Sequence, residues 1–137
     1  MNTFIEEENA ILGWHWLSKA RKLRRYHAGY GCLVVDESSP VIKVGDIVDV
    51  TPPISVAYNG LHSSTSLIES LFCQPGQICC RVKSWGHVNV MHDNSIVAAQ
   101  YRQVLGMADA KATIGEFGCD LAEKKLSQLE ADGVEVD

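Results

Sequence analysis

The sequence predicts an α+β fold: a single small domain, mainly antiparallel sheet, with a short mid-chain helix and a C-terminal helix. Three observations predict it. Residues 78–83 alternate, with Ile78, Cys80 and Val82 on one face and Arg81 and Lys83 on the other, the period of a half-buried strand. Between Ser64 and Cys73, the residues Leu67, Ile68, Leu71 and Phe72 recur with the period of a helix. Past Asp109, a helix N-cap candidate, an apolar stripe runs through Ile114, Phe117, Leu121, Leu126 and Leu129.

At 137 residues the chain suffices for one domain with its own core, and 46% hydrophobic with 21% charged residues is the composition of a folded protein. Residues 1–10 read as an N-terminal arm or short helix, 11–133 as the domain, and 134–137 as an acidic tail. Within the domain, residues 11–17 admit either a strand or a helix, since Trp14 and Trp16 share a face only in a strand. Tyr30 to Val35 reads as a strand ended by Asp36-Glu37-Ser38-Ser39-Pro40. Val41–Val44 and Ile47–Val50 flank Gly45-Asp46, and Thr51-Pro52-Pro53 interrupts the ladder because proline has no N–H to donate. Pro75-Gly76 ends the mid-chain helix. The turn His92-Asp93-Asn94 leads to a long strand over 95–107, with Val97, Ala99, Tyr101 and Leu105 inward and Arg102 outward.

Composition also narrows the function. A net charge of −5 argues against a dedicated nucleic-acid binder, and no apolar run reaches the ~18 residues of a membrane span. Three glutamates follow Met1-Asn2-Thr3-Phe4-Ile5, which is not a secretory pattern, so the expected compartment is the cytoplasm. The five cysteines include no Cys-x-x-Cys pair and read as buried thiols, leaving no metal or cofactor expected. His87, His92 and Asp93 fit no zinc spacing, and a Cys73–His62 pair would need an activated thiol.

Two constellations remain. His62 precedes the hydroxyls Ser63, Ser64, Thr65 and Ser66, which at a helix N-terminus would offer donors to an anion. The plain alternative is a histidine packed under a turn. His15, between Trp14 and Trp16, would face away from both rings in a strand, toward either a polar cleft or the core. The candidate ligand-binding residues are therefore His15, His62, Ser63 and Ser64. Lys19, Arg21, Lys22, Arg24 and Arg25, crowded into seven residues, are the candidate contact for a protein partner, the plainer reading being a solvated charged face.

Trp14-His15-Trp16-Leu17, Gly60-Leu61-His62-Ser63-Ser64, Gln74-Pro75-Gly76-Gln77-Ile78-Cys79-Cys80-Arg81-Val82, Ile96-Val97-Ala98-Ala99 and Met107-Ala108-Asp109-Ala110 together resemble a family of small bacteriophage and prophage proteins without an assigned reaction. The resemblance spans roughly residues 11–119 and favours a strand at 11–17. It implies an accessory protein in the host cytoplasm, foremost a non-enzymatic interaction module acting on a host or phage component, including inhibition of host defence. The order of a His-bearing strand, Gly-Leu-His-Ser, a helix and a strand also resembles the ADP-ribosyltransferase layout, which implies a nucleotide-binding module or a divergent enzyme with a cleft at His15 and His62. Two departures stand out. Cys73 occupies the position of the family's tyrosine, and residues 95–107 contain no acid to serve as the transferase glutamate.

Overall fold

Strands carry the architecture of this chain. The computed structural model describes residues 2–27, 32–56, 59–67, 70, 77–91, 95–109 and 135–136. In chain order the strands are β1 (Asn2–Ile5), β2 (Ile11–Leu17), β3 (Arg24–His27), β4 (Cys32–Val35), β5 (Ile47–Asp49), β6 (Leu61–Ser64), β7 (Ile78–Met91), β8 (Ile96–Asp109) and β9 (Glu135–Val136). The main sheet runs β1-β7-β2-β6-β8-β5, with β9 parallel to β8, while β3 and β4 form a separate antiparallel hairpin.

The α+β expectation is corrected: this is a mainly antiparallel sheet protein. Among the described residues helical structure amounts to a 3₁₀ turn over Glu7–Asn9 and the positions Leu67 and Ser70. The rest of the expected mid-chain helix and the C-terminal stripe lie outside the described residues. Asp109, read as a helix cap, is the last residue of β8 and pairs with Ile78. The reason is local. Met107 and Ala108 are buried together, so the run loses the alternation that marks a strand, while β7 and β9 take up its backbone groups from either side. The N-terminal arm is likewise part of the sheet, since Asn2 to Ile5 pair with Asn89 to Gly86.

A further pairing gives the sheet its shape. β7 pairs β2 along one edge and β8 along the other, and β6 joins β2 to β8. The ladder therefore closes, β7–β2–β6–β8 and back to β7, which removes free edges from the centre of the fold. Closure rests on the register pair Trp14 with Ser64. Past Ala99, where the pairing with β6 ends, β8 takes β5 as its neighbour at Tyr101–Gln103. Strands of 14 residues must bend to do this, and β7 slips register between Arg81 and Val82 and between Trp85 and Val88. Such bulges increase local twist. At the second, Gly86 has φ of 84°, a left-handed conformation that glycine adopts without a Cβ penalty.

Leu17, Leu23, Ile42, Ile78, Cys80, Val82, Val104 and Met107 form the main core; Val88, Val97 and Ala99 form a second cluster with Ile5, Ile11 and Val90. Leu23 and Ile42 reach the main core from the connections around the β3–β4 hairpin, whose backbone is tied down by Asp36 N donating to Leu23 O (2.8 Å) and Ile42 N to Arg21 O (2.8 Å).

Candidate functional site

β2 is buried on both faces. Trp14 lies under the Arg81 guanidinium, 4.5 Å from the ring centroid, and Trp16 Nε1 donates to Ser70 Oγ at 2.9 Å. Strand alternation places His15 on the other face, and it stands opposite Cys80 in the β2–β7 register. Two residues earlier, Gly13 lets β6 approach. A Cβ there would lie 2.9 Å from Ser64 O and 3.1 Å from Ser63 Oγ, so the close β2–β6 contact requires glycine.

β6 carries His62 and Ser63 into this junction, and β8 supplies Arg102. The Arg102 side chain, only 3% exposed, donates from Nη1 to the His62 carbonyl at 2.9 Å. The His62 backbone also accepts a hydrogen bond from the His15 ring. One peptide unit thus orients a guanidinium from β8 and an imidazole from β2. His62 directs its own Nδ1 to Gly60 O at 3.1 Å and remains partly exposed, which brings the junction to the surface.

Among the described residues, the charged side chains that act on the two imidazoles are arginines. Burial pushes the His15 pKa well below the ordinary 6.5, and Arg102, Arg24 and His62 lower it further, against the opposing backbone bond. Burial and then Arg102 lower that of His62, with Gly60 opposing. Both imidazoles are therefore neutral at pH 7. Arg24, from β3, donates through Nε to Trp16 O at 3.1 Å, and burial lowers its pKa too. Burial raises the Cys80 thiol to about 12 although Arg102 and Arg21 pull it down, so it is a packed thiol and not a nucleophile. Four buried polar atoms, Trp14 Nε1, His15 Nε2, Ser63 Oγ and Ser84 Oγ, have no hydrogen-bond partner among the described residues. Ser84 pairs with Arg102 across the β7–β8 ladder.

The structure brings His15, His62 and Ser63 together. Ser64 sits beside them but donates its hydroxyl to Ser66 O at 3.1 Å. The expected mode differs in part: Leu61–Ser64 is a strand, so His62, Ser63 and Ser64 lie in the sheet, while Thr65 and Ser66 lead to the helical position Leu67. The basic run does not form one face. Lys19 is exposed, Lys22 Nζ donates to Glu37 O at 2.9 Å and lies 3.8 Å from its carboxylate, and Arg24 turns toward Trp16. Arg21 occupies the turn with φ of 61° and caps it by donating N–H to Ser18 O, while the Arg25 side chain and Cys73 lie outside the described residues.

Sequence reasoning missed Arg102 and Ser84. Alternation over residues 95–107 points Arg102 outward, whereas in the structure it is buried and its Nη1 donates to the His62 carbonyl. For Ser84 the signal existed, since the alternation Ile78, Cys80, Val82 reaches it next.

Among the described residues, no group of three or more His, Cys, Asp or Glu could hold a metal ion, and no helix is long and apolar enough to cross a membrane. Comparison with protein-family models, with curated proteins and with solved structures finds no match to this chain.

Proposed function

We propose that this chain is a small-ligand binding module, of nucleotide type, whose site is the junction of β2, β6 and β8. The observation that carries this reading is the convergence of His15, His62 and Arg102 from three strands on the His62 peptide unit. Such a centre costs desolvation of a guanidinium and two imidazoles, which a sheet does not need for its own packing. Neutral imidazoles beside a cation suit recognition. A base whose pKa is pushed below 6.5 is poorly matched to proton abstraction at pH 7, so the arrangement favours binding over turnover. The resemblance to phage and prophage accessory proteins supplies the setting: a module that captures a ligand in the host cytoplasm.

Calorimetric titration with a nucleotide panel, including nicotinamide dinucleotide and ADP-ribose, tests it. Saturable heat that is lost in both His62→Ala and Arg102→Met is expected. A flat response across the panel overturns the assignment. Product formation from the dinucleotide would move the protein to the enzyme class.

The protein-partner reading has one observation of its own. β1 pairs on one edge only among the described residues and presents Phe4, 55% exposed and edge-on to His87 at 5.2 Å. Loss of partner capture in Phe4→Asp, with the nucleotide panel silent, would select it.

A further inference from the structure

The two ends of the main sheet differ in what they offer a partner. At one end β5 spans three residues and runs on through Val50 and Thr51 into Pro52-Pro53, which have no N–H to donate, so its edge is blunted. At the other end β1 pairs with β7 alone among the described residues, in an uninterrupted register from Asn2 to Ile5. Asn2-Thr3-Phe4-Ile5 holds no lysine, proline or bulge of the kind that protects an edge. Alternation divides its side chains. Ile5 packs against the cluster of Val88, Val97 and Ala99, while Phe4 stands on the other face against His87 and is 55% exposed. Glu6 keeps an extended backbone, with φ of -69° and ψ of 153°, so it continues the Phe4 face. The chain then turns through Glu7–Asn9, and Glu6, Glu7 and Glu8 are all exposed. Among the described residues this run meets one cation, Lys83, 3.5 Å from a Glu7 side chain that is still 58% exposed.

We propose that β1 docks an extended basic segment of a protein partner, which adds to the sheet as its next strand. The segment's backbone pairs with the outer N–H and C=O groups of Asn2–Ile5, an apolar side chain covers Phe4, and arginines or lysines reach Glu6, Glu7 and Glu8. Main-chain bonds of this kind give affinity to any extended chain, so the side chains beside the edge select the occupant. Glu6 shares the Phe4 face, and the recognised pattern is therefore an apolar residue with a basic residue two positions away. A second copy of this chain is disfavoured, because it brings its own net charge of −5 and a second acidic run to the edge. A nucleic-acid strand is opposed by the same charge. The proposal rests on the partner-binding reading of β1 and gives that partner its chemistry; the junction of β2, β6 and β8 plays no part in it.

The test is the fluorescence anisotropy of a labelled peptide, alternating Val and Thr with a pair of arginines at each end, titrated with the full chain. Arginines at both ends serve either strand direction. Saturable binding that weakens as salt rises is expected. Phe4→Ser should weaken it roughly tenfold, the scale of a partly buried apolar ring, and Glu6→Gln with Glu8→Gln roughly fivefold, the scale of exposed ion pairs. Unchanged urea midpoints confirm that these variants fold. The same peptide N-methylated at every Val and Thr keeps its charge and loses its donors; equal binding by it would overturn strand addition. A peptide with glutamates in place of the arginines, bound as tightly and still sensitive to Phe4→Ser, would overturn the basic partner while the edge reading stood. Silence from every peptide would remove both. A dimer of the chain alone, lost in Phe4→Ser, would give the edge to a second copy and overturn the assignment.

Discussion

Protonation of His15 should destabilise this protein, and the sign follows from its surroundings. Burial, Arg102, Arg24 and His62 all hold the folded-state pKa below 6.5, the value expected once the chain unfolds. Above pH 6.5 the ring is neutral in both states and full stability is present. Below it the unfolded chain takes up a proton that the folded chain refuses, so stability falls with pH through the window that opens at 6.5. For a ring that stays neutral when folded, the loss between pH 7 and 5.5 is about 1.3 kcal/mol. His62 is lowered in the same direction and adds to it, but less, because it is partly exposed. Against a typical domain stability of about 5–15 kcal/mol this is measurable. With a urea m-value of about 1–3 kcal/mol/M, the His15 term alone lowers the midpoint by roughly 0.4–1.3 M. Urea titrations at pH 7.0, 6.25 and 5.5, followed by the fluorescence of Trp14, Trp16 and Trp85, measure it, and His15→Asn should lose most of the slope. A wild-type midpoint unchanged across that range, or a full slope retained in His15→Asn, would refute the argument that His15 is buried neutral beside cations.

Two other predictions concern the frame around the site. Gly86→Ala places a Cβ 2.6 Å from Tyr101 Cδ2 at φ of 84° and should cost roughly 2–4 kcal/mol by urea denaturation, disturbing the Trp85–Tyr101 stack; Gly45→Ala, at φ of 94° with nothing within 4 Å, should cost about 1 kcal/mol, and equal losses would count against the steric term. Cys79 and Cys80, both raised by burial, should resist alkylation at pH 8 in the native state and react in urea, as peptide mass mapping would show, and labelling of Cys80 before unfolding would contradict its packing.

How much of the fold could be read beforehand depended on whether each strand has one wet face. Residues 78–83 alternate because Arg81 and Lys83 remain partly exposed while Cys80 and Val82 are buried, so that strand was legible. It was not legible as far as Met91, because the bulge at Trp85–Val88 breaks the period. β2 was ambiguous for the opposite reason: Gly13 to Leu17 are all buried, and a run covered on both faces carries no period at all. Closure of the ring was invisible, since it depends on the Trp14–Ser64 pair, fifty residues apart, and on a glycine whose need for small size appears only when β6 is placed against it.

The site was half legible, and the division has a physical cause. His15 and His62 stand out because histidine beside tryptophan, or before four hydroxyls, is an unusual local choice. Arg102 does not, because an arginine among Gln100, Tyr101 and Gln103 looks like any solvated strand face. What turns it inward is not on its own strand. The carbonyl that accepts its Nη1 belongs to His62, and β6 occupies that position only because Gly13 admits it. The charge at this junction is therefore contributed by the residue with the weakest local signal, and the residues with the strongest signal are held neutral first by burial and then by that charge.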